Sequence, residues 1–158
     1  MTLRARLVLD DCRLALQELH AADTAALFRV RYAACCALLR TVGYVLQKVD
    51  AATSKPVHNR IASAWERWND QKSEHALFWE FIDNERHRIL KEYEPGFVYG
   101  EHMVLADDGR EEALMPYILA PDLYVPLSDG TYAGEDVRDL IQAAIEWWEL
   151  ELGAIDTT

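Results

Sequence analysis

Apolar side chains recur every three or four positions along the first hundred residues, and beyond them the rhythm breaks. The clearest run is Phe28, Tyr32, Cys35, Leu39, Val42, Leu46 and Val49, spaced 4, 3, 4, 3, 4, 3. That alternation keeps one side of a helix apolar and predicts helix-on-helix packing. Leu3 to His20 reads as a first helix, with Leu7, Leu14 and Leu16 among its apolar positions. Asp23 is the expected N-cap of the second, which spans Thr24 to about Asp50. "TSKP" then breaks the chain, with Ser54 as a cap and Pro56 in the first turn of a third helix. That helix passes through Ile61, Trp65 and Trp68 to about Asp70. A fourth, from about Glu74 to Glu94, stops at Pro95-Gly96.

After Gly96 the texture changes to short β-prone runs such as Leu123 to Leu127, punctuated by the turn signals "DDG" and "SDG". A final helix is expected from near Gly134 to Gly153. Glu135 and Asp136 lie in its first turn, where the dipole favours them, and Ile141, Ile145, Trp148 and Leu152 form its buried stripe. The pattern predicts a mostly α fold: an antiparallel bundle of four to five helices with a short extended or β-hairpin insertion before the last one. The bundle is assigned to residues 1–96, the arm to 97–133 and the C-terminal helix to 134–153, all within one domain, which suits a chain of 158 residues.

Charge sharpens this picture. Residues 1–100 hold 14 Lys and Arg against 13 Asp and Glu, whereas residues 101–158 hold 2 against 14. An acidic third of this kind repels nucleic acid, so DNA is not expected as a partner and any RNA contact must use the basic helices upstream. The acidic region is instead a candidate surface for a partner protein. No run approaches the roughly 20 apolar residues that a bilayer span needs. Asp10 and Asp11 interrupt the start before a signal-length apolar core forms, so a cytoplasmic protein without membrane association is expected. Cys12, Cys35 and Cys36 include no CxxC pair and read as buried thiols. No phosphate loop, G-x-S-x-G elbow or metal-binding histidine spacing occurs, so no cofactor and no metal are assigned. Glu101, His102, Asp107 and Asp108 are read as turn-forming residues of the arm before they are read as metal ligands.

The candidate chemistry lies in "FWEFIDNERHRILKEYEPG", Phe78 to Gly96. At about 100° per residue, Trp79, Ile82, Arg86, Leu90 and Tyr93 share a face, which puts a guanidinium on an apolar wall. Buried unpaired, it would cost several kcal/mol, so a carboxylate, phosphate or second subunit is expected beside it. His87 and Lys91 form a separate i, i+4 pair. The plain alternative is a solvated face with pairs such as Glu85 with Arg88 and Arg88 with Glu92.

The order Arg86, four residues, Lys91, one residue, Tyr93 resembles the R-x4-H-x-Y signature of HEPN domains, small helical bundles that include many bacterial ribonuclease toxins. The similarity extends over about residues 24–96, through "LLRTVGYVLQKVD" on the second helix. It implies a homodimer with RNA at a cleft near Arg86, and a place in toxin–antitoxin or defence systems. By the same resemblance Arg86 would stabilise phosphate charge, Lys91 would stand where the family's proton-transferring histidine does, and Tyr93 would be the motif tyrosine, a modification target in some such systems. A histidine near pKa 6.5 exchanges protons at neutral pH, whereas a lysine near 10.4 stays charged. The motif is therefore degenerate, and an RNA- or partner-binding protein without catalysis is expected. Two alternatives stay open: a metal-independent endoribonuclease using Arg86 with His87, and a bundle serving only protein interaction.

Overall fold

The 4,3 seam of the second helix organises the packing. A computed structural model describes residues 2–105 and 116–157, and among these five α-helices follow one another. They are α1 (Arg4–His20), α2 (Ala25–Lys48), α3 (Lys55–Asp70), α4 (Asn84–Lys91) and α5 (Val137–Thr157). A π-helical segment, Leu77–Asp83, runs directly into α4. Phe28, Tyr32, Cys35, Leu39, Val42 and Leu46 are all buried, and only Val49, the last position of the seam, is exposed. The antiparallel helical bundle with a hairpin before the last helix is the architecture expected.

Several boundaries differ from the sequence reading for identifiable reasons. Thr24, not Asp23, caps α2, its Oγ1 accepting the amide of Leu27 at 3.2 Å. On α1 the buried face is Ala5, Leu9, Cys12, Leu16 and Leu19, again spaced 4, 3, 4, 3, while Leu7 and Leu14 stand exposed. Two faces of this helix are apolar, and the one that repeats in register with α2 is buried. Asp50 lies beyond the end of α2, in a 3₁₀ turn, Asp50–Ala52. Its buried carboxylate accepts the amides of Arg4 at 2.7 Å and Ala5 at 2.9 Å, capping α1 from across the bundle where Leu3 has no side-chain acceptor to offer. Ser54 and Pro56 start α3 as expected.

Trp68 and Trp148 are fully buried and meet edge to face at 5.6 Å. The Trp148 indole donates to the Leu39 carbonyl at 2.9 Å, and the Trp68 indole to Glu151 at 2.7 Å. α5 runs through Gly153 instead of stopping there, because Asp156 is held by Arg6 and Ile155 is buried. Much of the acidity of α5 is neutralised within the chain: Glu149 pairs with Arg6 and Arg13, and Glu151 with Arg67. Among the described residues no helix is long and apolar enough to cross a membrane.

The arm folds back onto the first half of α2. Phe97 meets Phe28 at 5.0 Å and Tyr32 at 4.9 Å, both edge to face. Strands β1 (His102–Leu105) and β2 (Pro116–Leu119) pair antiparallel, with Met103 opposite Ile118. The "DDG" turn, Asp107 and Asp108 fall outside the described residues. The Leu123 to Leu127 run contributes isolated bridges, Phe97 to Leu127 and Pro126 to Asp136, and no full strand. Asp136 precedes α5 and does not lie in its first turn. There it accepts the amides of Val125 and Arg138 and the Arg138 guanidinium. Burial pushes the Asp136 carboxyl up, but the Arg138 pair and the two amides outweigh it and the net shift is down.

Two outcomes follow. Asp50→Ala strips α1 of its cap and lowers stability by about 1–2 kcal/mol in urea denaturation, with Asp50→Asn closer to wild type. Asp136, with its folded pKa depressed, contributes stability that is complete above the ordinary aspartate value of about 3.9 and is lost as pH falls through the lower folded value. Asp136→Asn therefore flattens the acid side of the stability-against-pH curve, as urea midpoints measured from neutral to acid pH will report.

Candidate functional site

The face that α4 buries is decided by a glutamate. Phe78, Ile82, Glu85 and Ile89, spaced 4, 3, 4, point into the bundle, and Glu85 is only 2% exposed. Its Oε2 accepts the Tyr32 hydroxyl at 2.7 Å and the Gly96 amide at 3.0 Å, while Oε1 faces Arg88 at 3.3 Å. Arg88 in turn grips Asp129 of the arm through both amino groups, at 3.0 and 2.7 Å. A carboxylate so fully provided for tolerates burial. Gly96 is required for space: a Cβ there would lie 2.6 Å from Glu85 Oε1 and 2.5 Å from Arg88 Nη1.

The expected face of Trp79, Ile82, Arg86, Leu90 and Tyr93 is thus corrected. It lies roughly 70° round from the buried stripe and shares with it the buried Ile82, while Leu90 and Tyr93 are 61% and 59% exposed. The true stripe escapes an apolar count because one of its members is charged. Arg86 occupies the flank, half-buried, and leans toward α2, its guanidinium carbon 5.5 Å from the centroid of the Tyr44 ring.

A second arginine meets the same ring. The Arg40 guanidinium carbon lies 4.2 Å from the Tyr44 centroid, with Phe78 at 5.3 Å and Trp65 at 5.7 Å. Its Nε donates to Asp83 Oδ1 at 2.9 Å, at the end of the π-helical segment. Gly43 leaves room for it, since a Cβ there would stand 3.1 Å from Arg40 Nη1. Among the described residues, Arg40 Nη1, Arg86 Nε and Trp65 Nε1 are buried without a hydrogen-bond partner. Two guanidiniums on one ring, with Asp83 paired to Arg40, leave a positive surplus against aromatic walls, an arrangement suited to receiving an anion.

The four motif positions are not gathered together. His87 and Lys91 are exposed, a turn apart, and Tyr93 sits beyond the end of α4 with φ of 52°, a left-handed conformation that ends the helix. Of the four, Arg86 is the one that enters the cluster around Tyr44. The plain alternative holds in part: Glu85 does pair with Arg88, but from the core and not from solvent. The sequence pattern does not single out Arg40, Tyr44, Asp83 or Trp65 as site residues. The one local signal for them is the i, i+4 step from Arg40 to Tyr44 beside the apolar seam.

Other groups offer little chemistry. Burial pushes the thiols of Cys12 and Cys35 up to about 12, and raises those of Cys36 and the Tyr32 hydroxyl as well. His102 rests on the Val98 carbonyl at 3.2 Å. Among the described residues no three His, Cys, Asp or Glu side chains gather as a metal site requires. Compared with family models, curated proteins and solved structures, the chain matches none.

Gly96→Ala tests the glutamate pin. The Arg88 side chain can swing aside, but Glu85 is fixed by Tyr32, so the variant loses about 1–3 kcal/mol in urea denaturation. Wild-type stability would mean that the close approach of Gly96 to Glu85 is not required.

Proposed function

We propose that the chain is a HEPN-like helical bundle that binds single-stranded RNA without cutting it, and that the cluster of Arg40, Tyr44 and Arg86 receives a backbone phosphate. The observation that carries this reading is the pair of guanidiniums on the Tyr44 ring, of which Arg40 pairs with Asp83. A phosphodiester would balance the remaining charge of the two guanidiniums. RNA is favoured over a free anion by the motif resemblance at Arg86.

Binding without cleavage follows from the motif positions other than Arg86, which stay outside the Tyr44 cluster. Lys91 takes the position of the family's histidine, where a lysine amine is a poor general base, and His87 is exposed on α4. The homodimer belongs to the same reading: Leu90 and Tyr93, exposed beside Lys91, offer the apolar surface on which a second copy would sit. A cytoplasmic setting, and a partner protein for the acidic residues of the arm, complete it.

The test is filter binding of a single-stranded RNA over a salt series. Arg86→Gln and Arg40→Gln are each expected to weaken binding about tenfold and to flatten the slope of log K against log salt by about 0.7 for each phosphate that is no longer neutralised. Circular dichroism checks that both variants stay folded. Unchanged binding in both folded variants would overturn the site, and RNA cleavage by the wild type would overturn the non-catalytic assignment.

A further inference from the structure

Trp65 joins the Tyr44 cluster to a groove between α2 and α3. Arg40, Tyr44, Lys48 and Ala51 follow one stripe of α2 and the turn after it, and the chain reverses through Asp50–Ala52 so that α3 runs back alongside. His58, Ile61 and Trp65, at helical spacing, line the facing stripe of α3. Between them lies a groove of about 440 Å³ with an apolar floor, Ala51, Ile61 and Ala62, and a polar rim, Gln47, Lys48 and His58. Trp65 belongs to both parts: it lines the groove, and its ring lies 5.7 Å from the Arg40 guanidinium carbon. Arg40 and Lys48 are eight residues apart, about 12 Å along the helix.

We propose that this groove seats one unpaired base of the bound RNA, its phosphate held by Arg40 and Arg86, so that the protein selects unpaired nucleotides over duplex. This rests on the RNA-binding reading above. Trp65 carries the inference: it lies beside Arg40 and also lines the groove, so a base attached to a phosphate at Arg40 would enter the groove alongside Trp65. Lys48, Gln47 and His58 then meet the polar edge of the base. The floor is too apolar for a bare anion, and the rim too polar and the groove too short for an acyl chain. A paired base in a duplex is stacked on both faces and cannot enter.

The experiment compares an RNA oligonucleotide in single-stranded form with the same sequence closed into a hairpin, using wild type, Trp65→Phe and Lys48→Glu, with adenosine monophosphate and inorganic phosphate as competitors. Lys48 is exposed, so its variant keeps the question answerable even if Trp65→Phe perturbs the aromatic core. The single strand is expected to bind at least tenfold more tightly than the duplex. Both variants should narrow that ratio severalfold, and adenosine monophosphate should compete at lower concentration than phosphate. Equal binding of single strand and duplex, or a preference untouched by either folded variant, overturns the base-seating proposal. If Arg86→Gln still weakens binding in that case, the RNA-binding reading survives. If wild type binds neither form of RNA, that reading itself falls.

Discussion

Burying Glu85 sets the roll of the fourth helix, and the candidate site depends on that roll. With its carboxylate committed to Tyr32, the Gly96 amide and Arg88, α4 can turn neither way without leaving a charge and a hydroxyl unpaired in the core. That orientation sends Arg86 sideways to Tyr44 and leaves His87, Leu90 and Lys91 facing outward. The same pin fastens the arm, because Arg88 bridges Glu85 to Asp129. One buried acid therefore couples the core, the arm and the placement of a surface-directed cation.

Electrostatics elsewhere follow a simple division. The acidic C-terminal helix lies against basic residues of α1 and α3, so much of the imbalance between the two parts of the chain is settled internally. Arg40 and Arg86 are different. They share the Tyr44 ring, Asp83 pairs with Arg40, and the aromatic side chains around them keep the charge from being diluted by water. Surplus charge held rigidly beside an open groove is more useful for recognition than for stability.

The helical bundle is legible in the sequence because its main seam obeys a strict 4,3 spacing, and Ser54 with Pro56 marks the start of α3 unambiguously. The face of α4 is not legible, since its buried stripe contains Glu85, and no local pattern announces that a glutamate will find Tyr32 and Gly96 at distances of 53 and 11 residues along the chain. For the same reason Asp50 reads as a helix end, when its carboxylate caps another helix 45 residues away. Arg86 stands out in the sequence, yet Tyr44, which it meets, and Arg40 and Trp65, which complete the cluster, come from two other helices and gather only on folding. Gly153 reads as a stop signal, but contacts made by Ile155 and Asp156 outweigh one unfavourable glycine.

The most direct measurement of whether the Tyr44 cluster receives an anion is an NMR titration of the arginine side-chain Nε–H resonances with inorganic phosphate. The Arg40 and Arg86 signals should shift together and saturate, while that of the distant, exposed Arg29 stays in place. Signals from Arg40 and Arg86 that remain fixed, or that move no more than Arg29, would contradict an anion site at Tyr44.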